Sequence, residues 1–211
     1  MLEKYRDKYK TAKQRGVTYY YNTVNLSGET YQAIYGCDGG KTAHFPAEIG
    51  GIPVRELCTG EDFLGQGFAC KKAILPNGIK SVRQQAFWNN PHLEEVELPP
   101  DIENLGWQCF GFCRSLKRIH IPMRHLIKYV VAFKGTPNVE QFHVIGTKKP
   151  FNTKQYMSLI AYYYSIMKRS KRGDQNFDAD DKTALELCTQ FGWFDYISEY
   201  SDDFDTLFRN V

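Results

Sequence analysis

Between residues 73 and 144 the apolar positions return on a fixed period of 23. Pro76, Pro99 and Pro122 share one column, and Phe87, Phe110 and Phe133 another. Leu93, Leu116 and Val139 make a third, Ala73, Val96, Ile119 and Phe142 a fourth, and Leu75, Leu98, Ile121 and Val144 a fifth. No insertion breaks the phase, so the segment is a tandem repeat. Within each unit a short alternating run such as Val96-Glu97-Leu98 reads as a strand of period two. The proline after it ends the run, because proline cannot donate to a ladder. Two aliphatics follow, Ile79 and Val82 or Ile102 and Leu105, and then a phenylalanine placed to fill the space between layers. One unit of 23 residues cannot bury its own apolar face, whereas stacked units share a continuous core.

Outside the repeat the patterning changes. Residues 17–39 hold two aromatic-rich runs around Asn25-Leu26-Ser27-Gly28-Glu29, which predicts a β-hairpin that covers one end of the stack. Tyr19, Tyr20 and Tyr21 suit that cover better than a stacking platform for bases or sugars. Residues 1–16 place Leu2, Tyr5, Tyr9 and Ala12 on one helical stripe and predict a basic helix. After Gly146 the period becomes helical. Asn152 and Gln155 form a capping-box pattern, and Tyr156, Leu159, Ile160, Tyr163 and Met167 recur at helix spacing up to Gly173. A second helix is predicted from about Asp181 to Phe191, and a third short one carries Phe194, Ile197 and Tyr200.

The repeat resembles the BspA-like leucine-rich repeats of bacteria, whose units run as L-x-x-I-x-I-P, two aliphatics, then A-F-x-x-C-x-x-L. "CFGFCRSLKRIHIP" carries that pattern through Phe110, Cys113, Leu116, Ile119, Ile121 and Pro122. "HFPAEIGGIPVREL" (His44 to Leu57) is similar to the family's opening unit. Asn90 stands where one unit should have cysteine, and His125 and Lys128 replace the two aliphatics of the last, which is therefore expected to be irregular. The resemblance implies a right-handed leucine-rich repeat solenoid of short parallel strands, mostly β and irregular. The expected organisation is a basic N-terminal helix (1–16), a β-hairpin cap (17–39), the solenoid (40–148) and a small α-helical C-terminal region (149–211).

Composition adds limits. The chain has 211 residues, 42% of them hydrophobic, and a net charge of +3, too small to imply nucleic acid or a membrane. The charge is uneven, at +4 over residues 1–16, +1 over 17–148 and −2 over 149–211. "MLEKYRDKYKTAKQRG" lacks the apolar stretch of a signal peptide, and no run is long enough to span a membrane, so a cytoplasmic location is expected. Cys37, Cys58, Cys70, Cys109, Cys113 and Cys188 are then expected to be reduced, buried thiols.

No nucleophile elbow, phosphate loop or zinc-protease motif is present, and no catalytic or cofactor-binding residue is assigned. "DQNFDADDKTALE" starts like a calcium loop but has Ala179 where glycine belongs and Leu185 where the bidentate acid belongs. The repeat itself creates the candidate chemistry. Residues 23 apart should lie one above another, about 4.8 Å apart. One outward column is then Lys72, Glu95, Arg118 and Gln141, and the next is Ile74, Glu97, His120 and His143. Lys72, Glu95, Glu97, Arg118, His120, Gln141 and His143 form the candidate interaction face of a non-enzymatic protein-binding or scaffold protein. Two rival readings use other features: a metal or enzymatic site on Glu97, His120 and His143, and nucleic-acid binding through residues 1–16 and Lys168–Arg172. Charge-balanced rungs fit the column better than a chelator, and a helix C-terminus explains Lys168–Arg172.

Overall fold

The computed structural model describes residues 8–59 and 67–209. Its strands are β1 (Lys10–Gln14), β2 (Val17–Leu26), β3 (Glu29–Asp38), β4 (Thr42–His44), β5 (Glu48–Ile49), β6 (Ile52–Leu57), β7 (Lys72–Ile74), β8 (Ser81–Val82), β9 (Glu95–Glu97), β10 (Asn104–Leu105), β11 (Arg118–Pro122), β12 (Gln141–Ile145) and β13 (Phe151–Asn152). Helix α1 (Tyr129–Ala132) lies inside the last repeat, and α2 (Thr153–Lys171), α3 (Ala179–Gln190), α4 (Trp193–Glu199) and α5 (Ser201–Leu207) follow it.

The repeats coil into a β-solenoid with two sheets. The first runs β13-β12-β11-β9-β7-β4, in which β4, β7, β9, β11 and β12 are parallel rungs and β13 turns back antiparallel. The second runs β1-β2-β3-β6-β8-β10, with β5 beside β6. Its rungs β3, β6, β8 and β10 are parallel, while β1 and β2 join antiparallel. The hairpin of β2 and β3 turns at Ser27–Gly28, both with positive φ, which glycine adopts freely and serine does not. It is continuous with the second sheet, because β3 pairs directly with β6.

Every apolar repeat column points inward. Ala73, Val96, Ile119 and Phe142 are fully buried, as are Leu93 and Leu116. The phenylalanine column forms a spine. Ring centroids lie 4.2 Å apart for Phe68–Phe87, 5.0 Å for Phe87–Phe110 and 4.8 Å for Phe110–Phe133, all stacked. Phe45 and Tyr19 continue it toward the hairpin. Tyr19 and Tyr20 are buried, so neither can serve as an exposed stacking platform. A polar column runs beside the spine. Asn90 Nδ2 donates to the Phe68 carbonyl at 2.6 Å, Cys113 Sγ to that of Phe87 at 3.1 Å, and Thr136 Oγ1 to that of Phe110 at 2.8 Å. Asparagine thus does in its rung what cysteine does in the next. Its Oδ1 also accepts from the backbone N–H groups of His92 and Leu93.

Lys10–Gln14 is a strand paired along β2, which corrects the helix expected over residues 1–16; the rest of that expectation, residues 1–7, lies outside the described residues. The helical stripe loses here because β2 offers a row of open backbone groups, and pairing them satisfies both strands. The last repeat is irregular: a 3-10 turn at Met123–His125 and α1 replace the strand that would have followed β10. His125 continues the column of Ile79 and Ile102, is buried, and donates from Nε2 to the Ile102 carbonyl at 2.9 Å.

Burial lowers the His125 pKa from 6.5 to about 4, the hydrogen bond to Ile102 opposing it only in part. The folded state therefore prefers neutral imidazole, and its stability is complete above pH 6.5. The unfolded chain takes up the proton first, so stability should fall between pH 6.5 and 4, by about 3 kcal/mol in total. Urea titrations across this window should show that loss, and His125→Phe should flatten it; an equal slope in both proteins would refute the assignment.

Asn152 caps α2 with a full capping box shared with Gln155. Tyr156 is buried against the end of the solenoid, stacked 3.9 Å from Phe142, and donates to the Leu126 carbonyl. Trp193 is fully buried and donates from Nε1 to the Arg124 carbonyl at 2.8 Å. The predicted third helix is two, α4 and α5, broken at Tyr200, with Trp193 and Ile197 buried on α4 and Phe204 on α5. No helix among the described residues is long and apolar enough to cross a membrane.

Candidate functional site

The outward face of the first sheet carries the predicted columns in the predicted register. Lys72 pairs with Glu95, Glu95 with Arg118 and Arg118 with Gln141, while Ile74, Glu97, His120 and His143 form the neighbouring column. Because strand residues alternate, burying Ala73, Val96 and Ile119 forces these side chains outward.

Glu95 is the hub. It meets Lys72 Nζ at 2.8 Å and Arg118 through Nε at 2.8 Å and Nη2 at 2.7 Å, and its Oε1 lies 3.5 Å from His120 Nε2. Its side chain is only 10% exposed. Burial by itself would raise the Glu95 pKa, but hydrogen bonds from Lys72 and Arg118 and their charges hold it at about 2. Lys72 also pairs with Glu97. His120 stacks on His143 with centroids 4.2 Å apart and planes 4° from parallel. Burial and the neighbouring imidazole depress the His120 pKa, against the pull of Glu97 and Glu95.

The metal reading does not gather its three residues. Ligand atoms of Glu95, Glu97 and His120 do lie within 4.8 Å of one another. His143, however, is stacked ring on ring, and stacked imidazoles do not turn their nitrogens toward one ion. Lys72 and Arg118 already neutralise the carboxylates. Two of the four cations of Lys168–Arg172 are held in ion pairs: Lys168 pairs with Asp205 at 3.0 Å, and Arg169 with Asp174 at 2.9 Å and Asp181 at 2.8 Å. Those two serve the helical region.

A second charge ladder lies one residue before the first and was missed in the sequence. Lys71, Glu94, Lys117 and Glu140 alternate in sign at intervals of 23, with Lys71–Glu94 at 2.6 Å and Lys117–Glu140 at 3.7 Å. The same 23-residue spacing would have found it, but these residues precede the strands. They are largely exposed and add little stability.

Together these features define a leucine-rich repeat solenoid with a patterned β face. Residues 66–160 match the family described as "BspA type Leucine rich repeat region (6 copies)". No curated protein matches the chain. Among solved structures it is similar to a leucine rich cell surface protein from Faecalibacterium prausnitzii, with 18% identity over 53% of this chain and 32% of that one, at a TM-score of 0.36. It is also similar to a leucine rich repeat protein of T. pallidum, with 16% identity over 53% of this chain and 71% of that one, at a TM-score of 0.28. The pneumococcal vaccine antigen PcpA matches with 15% identity over 65% of this chain and 50% of that one, at a TM-score of 0.28. The chain thus spans about a third of the Faecalibacterium protein and half of the pneumococcal antigen.

Proposed function

We propose that the protein is a non-enzymatic binding or scaffold protein that presents the outer face of the first sheet to a protein partner. The observation that carries this reading is the rung-by-rung ladder of Lys72, Glu95, Glu97, Arg118, His120, Gln141 and His143. Ion pairs fix the side chains of its first rungs before any partner arrives, so little ordering entropy remains to be lost on binding. Gln141 and His143 continue that face without an ion pair, next to Ile145, which is 40% exposed. A polar ladder ending in an apolar edge resembles a protein-binding rim and core. A cytoplasmic location belongs to the same proposal, supported by six cysteines that are all free thiols, five of them buried.

A photo-crosslinking amino acid tests this directly. Placed at Gln141, it should capture a discrete protein from native lysate; placed at Glu103, exposed just before β10, it should not. Once the captured protein is purified, Glu97→Lys should weaken its binding about tenfold or more. Equal capture at both positions, or binding indifferent to Glu97→Lys, would overturn the proposal.

A further inference from the structure

The second sheet stops one rung before the first. Where the next strand would lie beside β10, the chain forms the 3-10 turn and α1 instead, and α4 stands off from the gap. The space left is a pocket of about 590 Å³, walled by β10 and the loops after the second-sheet rungs on one side and by α4 on the other. That volume suits a small molecule. An edge strand such as β10 also leaves outward backbone groups without ladder partners.

Lys128 lines this pocket and occupies the repeat column of Val82 and Leu105, both buried aliphatics. A cation thus stands where the repeat calls for a core side chain. Its ammonium lies 5.5 Å from the centre of the Tyr196 ring, and among the described residues it makes no ion pair and no hydrogen bond. Burial, then the charge of Arg124, lowers the Lys128 pKa, with Cys109 and Glu199 opposing, as expected of a charge short of compensation. The other cation in the wall, Arg83, is already held by Glu56 at 2.7 Å. Among the described residues the pocket therefore offers one ammonium with no ion-pair partner, enough for a monoanion. Glu199 in the same wall would repel the second charge of a phosphate.

The remaining groups describe the rest of the ligand. Trp107 is 37% exposed in the pocket wall, next to the aromatic pair Tyr196 and Tyr200. Asn104 donates through Nδ2 to Ser81 and keeps its carbonyl oxygen for an incoming donor; the Glu199 carboxylate is a second acceptor. An exposed indole face, acceptors for hydroxyl groups and a lone ammonium together describe a hydroxylated ring bearing one carboxylate. We propose that this pocket binds an acidic monosaccharide, with its carboxylate on Lys128, its ring against Trp107 and its hydroxyls on Asn104 and Glu199.

Calorimetry and saturation-transfer NMR with D-glucuronate on the full chain test the proposal, with D-glucose, inorganic phosphate and L-phenylalanine as comparison probes. Glucuronate should bind saturably below about 10 mM, and glucose and phosphate at least about tenfold more weakly. Lys128→Gln should weaken glucuronate about tenfold or more and leave glucose unchanged. Trp107→Ala, an exposed substitution that keeps the charge, should weaken both sugars and provides the test if Lys128→Gln fails to fold; circular dichroism checks each variant. Lys71→Gln, on the opposite sheet, should change nothing. Glucose or phosphate binding as tightly as glucuronate, phenylalanine binding more tightly, or glucuronate affinity unmoved by both pocket variants would overturn it.

Discussion

Phe110→Ala should destabilise the repeat region by about 3–5 kcal/mol, the range for removing a large buried aromatic. Phe110 has no exposed surface and stacks on Phe87 on one side and Phe133 on the other. Its backbone is fixed as well, because its N–H donates to the Ala132 carbonyl and its own carbonyl accepts from Thr136. The surrounding rungs are pinned by ladder hydrogen bonds and cannot collapse into the cavity, which places the cost toward the upper end. In a solenoid each rung meets only its neighbours, so the loss should also split the array into segments on either side. Urea denaturation followed by far-UV circular dichroism would show a lower midpoint and a broader transition. A shift below about 1 kcal/mol would mean that the spine fills space without holding the rungs together.

Trp193→Ala should release the helical region from the solenoid at a similar cost, about 3–5 kcal/mol. Trp193 is fully buried, anchors to the Arg124 carbonyl, and packs edge-on against Tyr163 with centroids 4.9 Å apart. Removing it leaves both a cavity and an unpaired carbonyl in the last repeat. Tyr156 stacked on Phe142 and the ion pair of Lys134 with Asp203 would remain as the other points of attachment. Hydrogen exchange should then show faster exchange across α3, α4 and α5 while β7, β9 and β11 keep their protection. Unchanged exchange in the helices would show that α2 alone holds them.

The repeat was legible because stacking makes every column answer to the same geometry. Val96 and Ile119 must both face inward, so a shared residue type at an interval of 23 reports a shared environment. The ladder of Glu95, Arg118 and their neighbours followed from that register with no further information. Features that depend on one copy were harder to read. Lys10–Gln14 has the spacing of a helix and becomes a strand only because β2 lies open beside it, a tertiary fact absent from the local pattern. Asn90 looked like a departure from cysteine, yet both donate to a carbonyl of the preceding rung, so the column conserves a hydrogen bond and not a residue. His125 and Lys128 were visible as irregularities, but the pocket beside them depends on α4, which arrives about 65 residues later. The break at Tyr200 has no glycine or proline to announce it.

The early stop of the second sheet and the reversal of β13 also bear on how copies of this chain meet. Solenoids with flat, parallel ends can stack head to tail, each copy extending the sheets of the one before, and such contacts grow into fibres when nothing closes them. Here a following copy would have to extend two sheets of unequal length at once. On the first sheet it would meet β13, which runs opposite to every other rung and is two residues long. On the second it would have to reach β10 past α4. The irregular last turn therefore gives a following copy no level pair of sheet ends to extend.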